Sequence, residues 1–86
     1  MNTVTVTLSS RYSNKTTTVR AKTRPTLSGE WVMAEISRDQ LNRAAKRCCY
    51  AGNDWPRVVG SPEGFSLDAW EPTGKGGLSA IRRVAP

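Results

Sequence analysis

Residues 36–52, ISRDQLNRAAKRCCYAG, carry the only full helix signature in the chain. Ser37 is a suitable N-cap, because its hydroxyl can accept a backbone N–H that the first turn leaves unpaired. Gln40 stands three residues later, where its side chain can bond back to the Ser37 amide and close a capping box. Ile36 and Leu41 occupy the two positions of a hydrophobic staple. Leu41, Ala44, Ala45, Cys48 and Cys49 fall at i, i+3, i+4, i+7 and i+8, one helical face. Gly52 offers a left-handed stop, and Lys46 and Arg47 suit the negative end of the helix dipole. The apolar face is narrow and small-sided. Such a helix can lie close to a sheet but cannot make a core alone.

Working outward, residues 2–9 alternate, with Val4, Val6 and Leu8 on one side and Thr3, Thr5 and Thr7 on the other. That is a half-buried strand. Residues 10–14 are polar and turn-prone. Residues 15–22 read as the return strand, with Thr17, Val19 and Ala21 inward and Thr16, Thr18, Arg20 and Lys22 outward. The pair makes an antiparallel hairpin with one apolar and one Thr-rich, basic face. Residues 23–29, TRPTLSG, read as a loop, since Pro25 cannot donate to a ladder. Residues 30–36 form a third strand. Trp31 and Met33 share one face and Val32, Ala34 and Ile36 the other, so the strand is central, with the C-terminal tail as a cover for Trp31.

After the helix, 57–60 and 64–70 read as a second hairpin around a type I turn at Ser61-Pro62-Glu63-Gly64. Phe65, Leu67 and Ala69 point inward; Ser66 and Asp68 point out. Pro72 ends this element. The expected domain is 1–72, followed by a Gly-rich linker and C-terminal tail over 73–86 that either docks on the domain or stays flexible. Within it, Leu78, Ile81 and Val84 fit a short helix or an extended docking segment. The fold class is α+β: a single small domain in ββ-β-α-ββ order, an antiparallel sheet of about five strands with one α-helix on one face.

The chain has 86 residues, thirteen Lys and Arg, seven Asp and Glu, and a formal net charge of +6. One domain is the expectation at this length. The excess charge suits an anionic partner, either nucleic acid or an acidic protein surface. It is uneven: Arg11, Lys15, Arg20, Lys22 and Arg24 precede the first acid, Glu30. No apolar run approaches the ~18 residues of a membrane span. The first ten residues lack the basic and apolar regions of a signal peptide, so a cytoplasmic location is expected. Cys48 and Cys49 are adjacent on the helix and read as thiols, at least one of them a small core residue.

Catalytic chemistry finds little support. With no histidine in the sequence, the commonest general base and zinc ligand are missing. Glu30 and Glu35 lie at opposite ends and on opposite faces of one strand. Asp54, Glu63, Asp68 and Glu71 read as loop or surface residues. Gly74-Lys75-Gly76-Gly77 lacks the first Gly and the hydroxyl of a phosphate loop and reads as a linker. The expectation is no enzyme, no cofactor and no metal site.

Binding is better supported. Arg43, Lys46 and Arg47 lie on the helix side opposite its apolar face, and the first hairpin carries Arg11, Lys15, Arg20 and Lys22. Such bases interleaved with Thr can neutralise and hydrogen-bond phosphates. Tyr50 and Trp55 cluster near the helix C-terminus, either as interface anchors or as lids on the core. If sheet and helix form two layers, the hairpin bases and the helix bases point in different directions.

The plan as a whole resembles the small single-domain accessory proteins of phages and mobile elements, including anti-CRISPR proteins. The resemblance rests on a Thr/Val strand at the start (MNTVTVTLSS), one Ala-containing helix (LNRAAKRC) and a following GSPEGF segment. It covers most of the chain through architecture, with no diagnostic motif. It implies a non-catalytic inhibitor that binds a host protein or ribonucleoprotein complex handling nucleic acid, in the host cytoplasm. Many such inhibitors are acidic DNA mimics, whereas this chain is basic. A basic member would grip an acidic protein patch or the nucleic acid itself. Direct DNA or RNA binding through the hairpin and helix bases is therefore the alternative. No membrane partner is expected. Monomer and homodimer both stay open as expectations, since an uncovered edge strand could pair with a second copy.

Overall fold

A computed structural model describes residues 2–49 and 54–84. The strands β1 (Thr3–Ser9), β2 (Thr16–Pro25) and β3 (Trp31–Ile36) precede helix α1 (Arg38–Cys48). Then follow β4 (Arg57–Gly60), a 3-10 turn (Leu67–Ala69), β5 (Glu71–Pro72) and β6 (Leu78–Arg83). The six strands form one antiparallel sheet in the order β4-β1-β2-β3-β6-β5. The α+β class holds, with six strands in place of about five.

The Thr/Val alternation does what its period demands. Val4 stands opposite Ala21, Val6 opposite Val19 and Leu8 opposite Thr17 on the inner face. Val6, Leu8, Val19 and Ala21 join Ala34, Ile36, Leu41, Ala44, Phe65 and Ala80 in a single core cluster. The 3-10 turn touches both β4 and β6, which are far apart in the strand order, so the sheet curls around that core.

The helix begins as its sequence requires. The Ser37 hydroxyl accepts from the Gln40 N–H at 3.2 Å, and the Ser37 N–H donates to Gln40 Oε1 at 2.9 Å. Ile36 and Leu41, the staple positions, are both fully buried in the core. Leu41, Ala44 and Cys48 form its buried face. At the other end the helix stops at Cys48, with Cys49 extended, and the Ser13 hydroxyl donates to the Cys48 carbonyl at 3.2 Å. The stop expected at Gly52 lies outside the described residues.

Four local readings change. β2 continues through Thr23 and Arg24 to Pro25, because β3 pairs with that extension. Pro25 closes the strand, where a missing N–H costs least. The second hairpin does not form. β4 pairs with β1 instead, placing Val58 opposite the buried Leu8. The turn after it is shifted by one residue: the Phe65 N–H donates to the Pro62 carbonyl at 3.1 Å, with Gly64 at φ +88° in the third position. That position demands a left-handed residue, so the turn is not type I. Beyond it the Ser66 hydroxyl accepts from the Asp68 N–H and caps the 3-10 turn. This local bond outcompetes a ladder. Leu67, expected inward, is 49% exposed.

Of the two alternatives for residues 78–83, the extended docking segment holds and the helix does not. These residues form β6, inserted between β3 and β5, with Leu78–Arg83 in register against Ile36–Trp31. Thr73 closes the turn before it: its N–H donates to the Gly77 carbonyl, and its hydroxyl accepts from the Gly77 and Lys75 N–H groups. Trp31 therefore gains a strand beside it rather than a cover above it.

Candidate functional site

The outward residues of β2 set the site. Arg20, Lys22 and Arg24 alternate with inward Val19, Ala21 and Thr23, and all three bases are exposed. Directly opposite residues of antiparallel strands share a face. Lys22 therefore lies in a row with Thr3 on β1 and with Glu35 and Ser79 across β3 and β6. Arg24 lies in a row with Met33 and Ile81, and Trp31 stands opposite Arg83. The outer face is thus a Thr-lined edge, a line of three bases, and an apolar field with Arg83 beyond it. The Arg24 guanidinium approaches Glu35 at 3.6 Å and Met33 Sδ at 3.6 Å. The ion pair is exposed and adds little to stability.

The helix joins this face, because of a length mismatch. β3 pairs only with residues 22–25 of β2, leaving 16–21 without a strand on that side. After Ser37 the chain turns back and α1 runs down the open edge. Gln40 Nε2 donates to the Arg20 carbonyl at 2.7 Å, and Arg47 Nη1 donates to the Thr17 hydroxyl at 3.2 Å. Seven helical residues and three strand residues each span about 10 Å, which keeps the two in step. Two adjoining hollows result, of about 390 and 210 Å³, sharing Gln40 and Arg43. Lys22 and Glu35 line the first, and Arg20 and Arg47 the second. The hairpin and helix bases do not point apart. The helix covers a strand edge rather than the middle of a layer, so Arg20, Lys22, Arg43 and Arg47 share one furrow.

The remaining expected residues lie elsewhere. Arg11 and Lys15 are exposed on the β1–β2 loop, and Lys46 is exposed on α1 outside the furrow. Trp55 is 45% exposed just before β4. Tyr50 lies outside the described residues. Asp54, read as a surface residue, is buried: the Ser10 hydroxyl donates to its Oδ2, and the Arg11 N–H donates to its Oδ1 at 3.4 Å. Its carboxylate ties the β1–β2 loop to the segment entering β4.

Arg24, Trp31 and Arg83 belong to the face but were not among the expected site residues. Alternation over 30–36 does put Trp31 and Met33 on the side opposite the core. The place of β6, and so of Arg83, is not written locally. A third hollow, about 990 Å³, opens on this face between Arg24, Leu27, Trp31, Met33 and Ile81. Trp31 is 38% exposed there, and Leu27 and Ile81 are exposed as well.

Burial pushes the Cys49 thiol up to about 12, assisted by its hydrogen bond with Cys48, the charge of Cys48 and the charge of Asp54. The two sulfurs lie 3.7 Å apart, both as free cysteines. A thiol held protonated is a poor nucleophile. Among the described residues, no group of three or more His, Cys, Asp or Glu is placed to hold a metal ion. No helix among them is long and apolar enough to cross a membrane. Compared with protein-family models, curated proteins and solved structures, the chain matches none.

Proposed function

We propose that this chain is a small non-enzymatic binding protein that takes nucleic acid directly on its outer sheet face and the adjoining furrow. The observation that carries this reading is the convergence of Arg20, Lys22 and Arg24 on β2 with Arg43 and Arg47 on α1. Thr and Gln side chains stand among these bases, a mixture suited to phosphate oxygens. Against Arg20, Lys22, Arg24, Arg43, Arg47 and Arg83, the same surface carries Glu35 and, at its far edge, Glu71. The double reversals Arg20→Glu with Lys22→Glu, and Arg43→Glu with Arg47→Glu, test it by fluorescence anisotropy with a labelled oligonucleotide. Each is expected to weaken binding more than tenfold, about 1.4 kcal/mol. Unchanged affinity in both folded variants would remove the reading.

The second reading is the phage-type, anti-CRISPR-like inhibitor, a cytoplasmic protein that occupies an acidic patch on a nucleic-acid-handling complex. Its support is the edge strand β4 and the residue run that enters it, where Trp55, Arg57 and Val59 are all exposed. Trp and Arg are the commonest interface anchors, and an open edge can accept a partner strand. Loss of partner capture on Trp55→Ala, with oligonucleotide binding absent throughout, would favour it.

A further inference from the structure

We infer that the hollow between Arg24 and Ile81 receives an unpaired nucleobase stacked on Trp31, so that the ligand is single-stranded. This rests on the nucleic-acid reading above and specifies its substrate class. Three observations converge. First, Trp31 stands half-exposed in the sheet face, with Leu27, Met33 and Ile81 forming an apolar surround. Such a site suits a flat aromatic ring better than a phosphate or sugar, and base–aromatic stacking is the usual anchor of single-strand binders.

Second, the apolar field is bracketed by charge. Arg24 lines the hollow and Arg83 stands opposite Trp31 on β6. A ligand that carries negative charge on either side of an apolar group, as a nucleotide chain does, complements this arrangement. The contacts of Arg24 to Glu35 and Met33, both at 3.6 Å, are exposed and weak enough for a phosphate to displace, so charge complementarity favours a polyanion over a purely apolar peptide.

Third, the position of the hollow disfavours a duplex. It opens on the sheet face beside Arg24, the last of the basic residues that alternate along β2. A single strand can splay one nucleobase outward into it while its phosphates follow those basic residues. In a duplex the bases remain inside the stack, out of reach of a hollow on a broad sheet.

The test uses the full chain and three fluorescein-labelled probes at one salt concentration. They are an oligothymidylate of about ten nucleotides, inside the ~4–16-nucleotide range of small single-strand sites, an abasic oligomer with the same number of phosphates, and a duplex of the same length. The oligothymidylate is expected to bind roughly tenfold or more tightly than the abasic oligomer, the factor one stacked base supplies. Trp31→Ala should erase that difference while leaving the abasic affinity unchanged, and Trp31→Phe should restore most of it. Circular dichroism checks that both variants fold. Equal affinity for the thymidylate and abasic probes, tighter duplex binding, or an unaffected Trp31→Ala variant would each overturn the base site, leaving the basic face standing. Failure to bind any of the three probes would overturn the underlying reading as well.

Discussion

Gln40 holds two backbones with one amide. Its Oε1 accepts from the Ser37 N–H, and its Nε2 donates to the Arg20 carbonyl on the open edge of β2. Ser37→Ala removes the cap alone and is expected to cost about 0.5–2 kcal/mol. Gln40→Ala removes both bonds and should cost at least as much, at about 1 kcal/mol for each net hydrogen bond. Gln40→Glu separates the two roles: a carboxylate can still accept from Ser37, but it has no donor for Arg20. Urea denaturation should order the stabilities as parent, then Gln40→Glu, then Gln40→Ala. Equal stability for parent and Gln40→Ala would show that the amide does not join helix to strand. Cys49 gives a pH prediction. Its folded value is raised from 9.0 to about 12. The unfolded chain therefore loses this proton first as pH rises. The stabilisation is complete below pH 9 and is lost progressively between 9 and about 12. The urea midpoint of the parent should fall across that window more steeply than that of Cys49→Ser. Parallel curves would contradict it. Alkylation of the folded chain near pH 8 should also be slow at this thiol.

The elements differ in how far their own residues announce them. The capping box of α1 and the alternation of β1 and β2 were legible because each is a contest among neighbours in sequence. The register Val6 against Val19 follows from the same alternation once the two strands are joined by a short loop. β6 was not legible. Its Leu78, Ile81 and Val84 also fit a helical period, and its partner β3 lies more than forty residues away. The 3-10 turn was missed because Ser66 supplies a local bond that alternation cannot reveal. The furrow was missed for a third reason. Where α1 docks depends on β3 being shorter than β2, a relation between elements rather than a property of either. Gly77 shows how tightly β6 is fitted: a Cβ there would run into the Ile36 carbonyl oxygen. Gly77→Ala is expected to destabilise by about 1–3 kcal/mol, the usual cost of overpacking. Gly74→Ala meets open space and serves as the control in the same thermal melts. β6 also brings Ala80 into the core and joins β5 to β3. A chain ending at Pro72 should therefore fail to fold, as judged by circular dichroism. A cooperative melt from that truncated chain would show that β6 is an accessory.

At the scale of the whole molecule, the fold turns an uneven charge distribution into a surface. The acid-free first third supplies Arg20, Lys22 and Arg24, and the edge-docked helix adds Arg43 and Arg47 to the same side. Exposed charges contribute little to stability, so reversing them should leave the fold nearly intact. On the proposed reading their effect is on binding, and salt dependence reads it most directly, because each neutralised phosphate releases a counterion. The decisive measurement is the affinity of the parent chain for labelled oligothymidylate between about 50 and 200 mM salt, beside the folded Arg20→Glu, Lys22→Glu variant. Neutralising four to six phosphates of a single strand gives a slope of log affinity against log salt of roughly −3 to −4. That slope is expected for the parent, and one shallower by at least ~1.4 for the variant, two bases at ~0.7 each. A parent slope near zero, or a variant that follows the parent across the whole range, would contradict the assignment of the basic face to nucleic acid.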